Sequence, residues 1–401
     1  MDIAIIIHEL VAEGGGERQC LCLARSLSQG GHQVTIYTCE YKAQSCFPQI
    51  CQGLVIREVG RGLFAWWRRP LFVRGYLDML HLTAAVNHGH EIWNPHHWPG
   101  QWAAVWLKRR FGGAVVWMCN DVPDMYAKSQ QCISARGVVF GPLYRLYYLY
   151  DRRQNRGVDM TVLVSNWAER EFTAIYPGAT RVVRSGADMD SFRPGGNRAG
   201  IRSRFGYAQD DFVLLWLGIF MPHRRLEDAI KAMSTVAQSG KKVRLLLAGS
   251  DHSYPDYAKS LRALARSLGV AHLVTFAGKV SDDEIRDFYA ACDAFVFPND
   301  QQTWGLVVLE AMACSRPVMV SKGAGVHEVL SDNQNAVLFP PRNPEILAEK
   351  IRLLMTQPEF RADIAKNGMD FARTAYSWNH YAAQVEDVCK SLCQRSRHGR
   401  C

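Results

Sequence analysis

Two stretches of this 401-residue chain place residue types able to bind phosphate and hydroxyl groups at fixed spacing. The first is Pro298-Asn299-Asp300-Gln301-Gln302-Thr303-Trp304-Gly305-Leu306-Val307-Val308-Leu309-Glu310-Ala311-Met312-Ala313. It follows an apolar run and opens an amphipathic one, which places it at the carboxyl end of a parallel strand, where open α/β sheets bind ligands. A helix starting near Gly305 offers unpaired backbone N–H groups and the positive end of its dipole, suited to a diphosphate. Glu310 sits in the first turns of that helix, where a carboxylate can accept from two ribose hydroxyls. A glutamate is also favourable there through the dipole alone, and the residues by themselves leave both readings open.

The second stretch, Gly218-Ile219-Phe220-Met221-Pro222-His223-Arg224-Arg225-Leu226-Glu227-Asp228, likewise joins an apolar run to an amphipathic one. Arg224 and Arg225 can bind phosphate there or be solvated, and the second reading is weakened because a helix N-terminus disfavours cations unless an anion is present. Nearer the N-terminus, Gly14-Gly15-Gly16-Glu17-Arg18 also opens a helix after a strand, and its glycines allow close backbone approach to a phosphate or a sugar. As a dinucleotide fingerprint it fails at the third glycine, where Gln19 stands, which counts against a nicotinamide-dependent oxidoreductase. Two further groups close strands: Asn94-Pro95-His96-His97, able to supply an imidazole or simply to be solvated, and Cys119-Asn120-Asp121.

The elements that must carry these segments alternate. Ile3–Ile7, Val34–Tyr37, Glu91–Asn94, Ala114–Met118 and Met160–Val164 are the clearest strands of the first half, with helical periodicity between them. After the break Phe192-Arg193-Pro194-Gly195-Gly196 the pattern restarts with Phe212–Leu217, Val243–Ala248, Val274–Ala277, Ala294–Phe297 and Pro317–Val320. Helices are expected over Glu227–Ala237, Asp256–Leu268 and Asp282–Ala290, the last capped by Ser281-Asp282-Asp283-Glu284. The fold class is therefore α/β, with two Rossmann-like domains, residues 1–192 and 193–376. A terminal helix from Trp378 to Cys393 follows within residues 377–401, and the basic tail Arg395–Arg400 is expected to be disordered.

Composition bounds the rest. With 48% hydrophobic and 21% charged residues the chain is globular, and no apolar run approaches the ~18 residues of a membrane span. Its start, Met-Asp-Ile-Ala-Ile-Ile-Ile-His, reads as a buried strand and not as an export signal. Twelve scattered cysteines lack zinc-site spacing and suit free thiols in a reducing cytoplasm. The charge of +9 calls for an anionic partner. Leu63–Phe72 and Tyr144–Arg153 mix aromatic and basic residues, which fits equally an anionic membrane surface, peripherally bound from the inner face, or packing on the N-terminal sheet.

The segment from Pro298 to Ala313 resembles the donor-site motif of the GT-B retaining glycosyltransferases of family 4. In that family two glutamates stand eight positions apart before Ala-Met-Ala. Glu310 matches the second, which holds the nucleotide ribose, and Gln302 stands in place of the first. Gly218 to Asp228 is similar to the family's diphosphate-binding turn, with Ile219 for an arginine, Arg224 for the lysine and Arg225 for a glycine. Ser165-Asn166-Trp167, Ser185-Gly186-Ala187-Asp188 and Gly323 to Glu328 match as well, so the likeness covers most of the chain. Asn120 stands where the family offers a histidine before Asp121.

The resemblance implies two domains facing across a cleft, with the last helix crossing back to the N-terminal one. It implies transfer of a hexose from a nucleotide sugar to a glycan or lipid-linked acceptor, with retention and with no nucleic-acid partner. Gly15, Gly16, Gly218, Arg224, Arg225, Gln302, Thr303, Trp304, Gly305, Leu306, Val307 and Glu310 would bind the donor. Asn120, Asp121, Arg224 and Gln302 would take catalytic positions, with His96 and His97 toward the acceptor. No Asp-x-Asp motif appears in the donor half, so no metal or other cofactor is expected. Ile219 and Gln302 remove one charge of each sign, which suggests compensation: without the arginine, a carboxylate would be repelled by the diphosphate. A protein of the same fold that binds sugar nucleotides without turnover is the alternative.

Overall fold

Strands apolar at every position need cover on both faces, which a parallel sheet between helices supplies. Phe212–Leu217 is such a run, and all six of its residues are buried. The computed structural model describes residues 1–11, 14–61, 71–122, 147–238, 240 and 242–398. The chain divides into two compact units, Met1–Ser185 with Trp378–Cys401, and Gly186–Ser377.

In the first unit β1 (Asp2–Ile6) is followed by α1 (Gly15–Gln29), β2 (Gln33–Thr38), β3 (Val55–Glu58), α2 (Leu71–Ala85), β4 (Ile92–Pro95), α3 (Gly100–Phe111) and β5 (Ala114–Met118). After the gap in the described residues come β6 (Met160–Leu163), α4 (Asn166–Thr173) and β7 (Thr180–Val182). The seven strands run parallel in the order β3-β2-β1-β4-β5-β6-β7, with Ile3 opposite both Val34 and Ile92. The order reverses direction between β1 and β4. A crevice at the carboxyl ends of such neighbours is where this architecture places ligands.

The second unit repeats the scheme: α5 (Arg198–Arg204), β8 (Phe212–Leu217), α6 (Leu226–Ala237), β9 (Val243–Ala248), α7 (Pro255–Ser267), β10 (Val274–Gly278), α8 (Asp282–Ala291), β11 (Ala294–Phe297), α9 (Leu306–Ala313), β12 (Val318–Ser321), β13 (Val337–Phe339), α10 (Pro344–Thr356) and α11 (Pro358–Ala375). Its six parallel strands lie in the order β10-β9-β8-β11-β12-β13, and the reversal falls between β8 and β11. Trp216, Phe220, Ile230, Met233 and Leu247 fill the core against the apolar faces of α6, α7 and α10.

Two local expectations are corrected. Ser281 does not cap α8 through its side chain; its hydroxyl donates to Glu284 Oε2 at 3.1 Å, while Asp282, Asp283 and Glu284 supply negative charge to the helix start. The basic tail is helical as far as it is described. It extends the terminal helix α12 (Trp378–His398), whose Tyr381, Val385 and Cys389 are buried within the first unit. The Phe192–Gly196 break packs against α8, where Arg286 donates to the carbonyls of Arg193 and Pro194 at 3.2 and 3.1 Å.

The ten described cysteines are free thiols. No helix among the described residues is long and apolar enough to cross a membrane. The aromatic and basic stretch Leu63–Phe72 lies outside the described residues except for the backbone of its last two, and Tyr144–Arg153 is described only from Tyr147.

Candidate functional site

β8 and β11 are adjacent, so the loops that follow them meet at the reversal point of the second sheet. The first loop is pinned from below: Gly218 N–H donates to Ala248 O at 3.0 Å and Phe220 N–H to Ser250 O at 2.9 Å. The pinch admits no side chain at Gly249, where a Cβ would stand 1.7 Å from the Gly218 carbonyl oxygen and φ is +144°. Pro222–Arg224 then forms a single 3₁₀ turn, and Arg225 turns into α6 with φ 53° and ψ 39°. The second loop is tied to the first by Asp300 N–H donating to His223 O at 2.8 Å. A third loop, after β12, holds Gln302 by its main chain: its N–H donates to Gly323 O at 3.2 Å and its carbonyl accepts from Gly325 N–H at 2.8 Å.

These ties bring Arg224 onto Gln302. The Arg224 guanidinium donates to the Gln302 side-chain oxygen. The same side chain hydrogen-bonds His223, whose imidazole is pushed down to about 4 by burial and by the Arg224 charge, against the opposing pulls of Gln302 and Asp300. His223 is therefore neutral near pH 7. Beside this group Gly305 precedes α9 in an extended conformation, where a Cβ would press on Phe297 and Val326 at 3.1 Å. The first N–H groups of α9, those of Leu306 and Val307, have no carbonyl within the helix to bond. Thr303 and Trp304 are buried in the approach to the helix.

Glu310 lies one turn further on and is 4% exposed. Tyr289 of α8 donates its hydroxyl to Glu310 Oε2 at 3.0 Å and lies 3.1 Å from the Val307 carbonyl. A tyrosine thus fixes the carboxylate against the start of α9. Neither Tyr289 nor His223 was evident as a site residue from sequence. Tyr289 reads there as one more apolar position of an amphipathic helix, and His223 precedes the arginines without a spacing of its own.

Arg225 departs from expectation. Its guanidinium lies 2.7 Å from Glu227 Oε1 and donates to both Asp228 oxygens at 2.9 Å. The anions that a cation needs at a helix start are supplied by α6 itself. These pairs also offset the left-handed backbone, which costs a non-glycine residue about 1–2 kcal/mol. Ile219 is 42% exposed, whereas Gln302 faces a cation in Arg224.

The remaining candidates belong to the first unit. Gly15 and Gly16 open α1, and a Cβ on Gly16 would stand 2.1 Å from His97 Nε2, so the missing side chain is what lets that imidazole rest on the helix start. His97 has φ 58°, and its N–H donates to Met118 O at 3.3 Å. His96 does not join it. It is fully buried, bridges Met118 in the sheet and bonds Asn94 Oδ1 at 3.2 Å, and burial together with His97 pushes its pKa far below the ordinary histidine value. Asn120 lies two residues beyond β5 with both side-chain polar atoms buried and unbonded among the described residues, and Asp121 follows half-buried. Gln19 is buried and donates to Ser185 Oγ, an interior contact where a dinucleotide fingerprint needs a glycine.

Comparison with known proteins agrees with this layout. Residues 197–371 match the family described as Glycosyl transferases group 1, and residues 13–191 match Glycosyltransferase Family 4. A D-inositol 3-phosphate glycosyltransferase 2 of Catenulispora acidiphila is 26% identical over 94% of this chain and 89% of its own. A D-inositol 3-phosphate glycosyltransferase of Frankia alni is 26% identical over 90% and 91%. Among solved structures, sucrose-phosphate synthase of Thermosynechococcus elongatus superposes with a TM-score of 0.80 at 21% identity, covering 97% of this chain and 98% of its own. HepE of Anabaena, solved with UDP and glucose, superposes with 0.79 at 18% identity, covering 98% and 100%.

Proposed function

The chain belongs to the group 1 glycosyl transferases, and from that premise we propose that it moves a hexose, with retention and without a metal, from a nucleoside-diphosphate sugar to a hydroxyl of a glycan or lipid-linked sugar in glycoconjugate biosynthesis. The observation that carries the donor reading is the convergence of Arg224, the start of α9 and the Tyr289-held Glu310 where the second sheet reverses. Glu310 accepts the ribose hydroxyls. The N–H groups of Leu306 and Val307 take a phosphate oxygen, and the Arg224 guanidinium lies where the leaving diphosphate gains charge.

Donors already in place stabilise that charge without reorganising as the bond breaks. The leaving phosphate then receives the acceptor proton on the face it departs from, so the anomeric configuration is kept and little acid–base work falls to the protein. That suits Asn120, an amide that exchanges no proton near neutral pH. Arg224 and the α9 dipole supply the positive charge that a divalent ion would otherwise bring.

Relatives named for D-inositol 3-phosphate raise a phosphorylated acceptor, which the charge of +9 also favours. The same charge supports peripheral binding to an anionic membrane surface from the cytoplasm, where binding to anionic vesicles should weaken as salt rises. Incubation with an α-linked nucleotide hexose and acceptors, in the presence of EDTA, tests the chemistry. An α-linked product by NMR is expected, formed at the rate seen without chelator. A β-linked product, or turnover that EDTA stops and a divalent ion restores, would contradict the proposal.

A further inference from the structure

Gln302 is held in one orientation by partners that leave no ambiguity about its ends. A guanidinium has five donors and no acceptor, so the Gln302 atom it bonds must be the oxygen. His223 also hydrogen-bonds the Gln302 side chain. The main chain of Gln302 is fixed on both sides by Gly323 and Gly325. With the backbone tied and Oε1 engaged by Arg224, Nε2 is the donor end of this half-buried amide. A carboxylate at this position would accept from a sugar hydroxyl and would neutralise Arg224. Here the group is an amide that offers a donor.

We propose that the donor sugar carries a carboxylate, a uronic acid, which Gln302 Nε2 binds while Arg224 and His223 hold the amide in place. The proposal rests on the nucleotide-sugar reading given above. Hydroxyls can donate or accept and so discriminate weakly between an amide and a carboxylate. A carboxylate only accepts, so it gains a charge-assisted bond from Nε2 and is repelled by a glutamate in the same place. Gln302 is then a specificity determinant, and His223 a positioning residue acting through it.

Calorimetric titration of the full chain with UDP, GDP and dTDP first identifies the base accepted. The glucuronate and glucose esters of that nucleotide are compared next; for UDP these are UDP-glucuronate and UDP-glucose. The wild type is expected to bind the uronate about tenfold more tightly than the neutral sugar. Gln302→Glu is expected to reverse the preference, Gln302→Ala to abolish it, and His223→Ala to shrink it. Equal or tighter binding of the neutral sugar by the wild type overturns the inference, as does an unchanged ratio in Gln302→Ala. Binding of no nucleotide at all overturns instead the reading on which it rests.

Discussion

Replacing Arg224 with alanine is expected to lower kcat/KM for nucleotide-sugar turnover by about 10²–10³-fold, with the melting temperature nearly unchanged. The size is that of removing one positioned donor from a developing negative charge, and the neighbouring arginines are engaged elsewhere. Arg225 bonds Glu227 and Asp228, and Arg342 bonds Asp300 Oδ2 at 2.6 Å. Arg224 bonds the Gln302 side-chain oxygen at the reversal point of the sheet, where its guanidinium is placed to act on the phosphate that leaves. The effect belongs mainly to kcat, because charge on the leaving group grows toward the transition state. Arg224→Lys should recover part of the loss, since a lysine restores the charge without the planar fork. A loss below about tenfold for Arg224→Ala would place the phosphate elsewhere.

Glu310→Gln is expected to weaken nucleotide binding by about 10–100-fold, by removing charge-assisted bonds worth roughly 1.5–3 kcal/mol. Its loss should appear in affinity more than in turnover at saturation, the opposite split from Arg224. Tyr289 sharpens this prediction. Its hydroxyl fixes Glu310 Oε2 at 3.0 Å, so Tyr289→Phe should reproduce part of the Glu310→Gln defect without altering any atom that meets the nucleotide.

Much of this site was legible in the residues. Runs such as Phe212–Leu217 and Ala294–Phe297 form strands as read, because buried parallel strands need no alternation. Gly218 to Arg224 and Gln302 to Glu310 come together because they follow neighbouring strands, an adjacency that order along the chain does not reveal. The misreadings have physical causes. The helix dipole alone says nothing of the carboxylates two and three residues after Arg225, which pair with it from the first turn of α6. His96 and His97 looked alike in sequence, yet successive residues at a strand end point to opposite sides, and one is buried in the sheet while the other reaches Gly16. Ser281 fits a capping pattern by spacing, but its hydroxyl has a carboxylate within reach and bonds that instead.

Gln302 follows the same lesson. Its neutrality was visible in the sequence, but the direction of its amide depends on Arg224 and His223, which sit on a different loop. The backbone tie between Asp300 and His223 joins those loops.

The central claim is that Glu310, at the start of α9, holds the ribose of a nucleotide. The most direct test compares the affinity of the accepted nucleoside diphosphate with that of its 2′,3′-dideoxy form, in the wild type and in Glu310→Gln. The account predicts a large penalty for the dideoxy form in the wild type and almost none in the variant, since the hydroxyls and the carboxylate are lost as a pair. The same penalty in both proteins would contradict it.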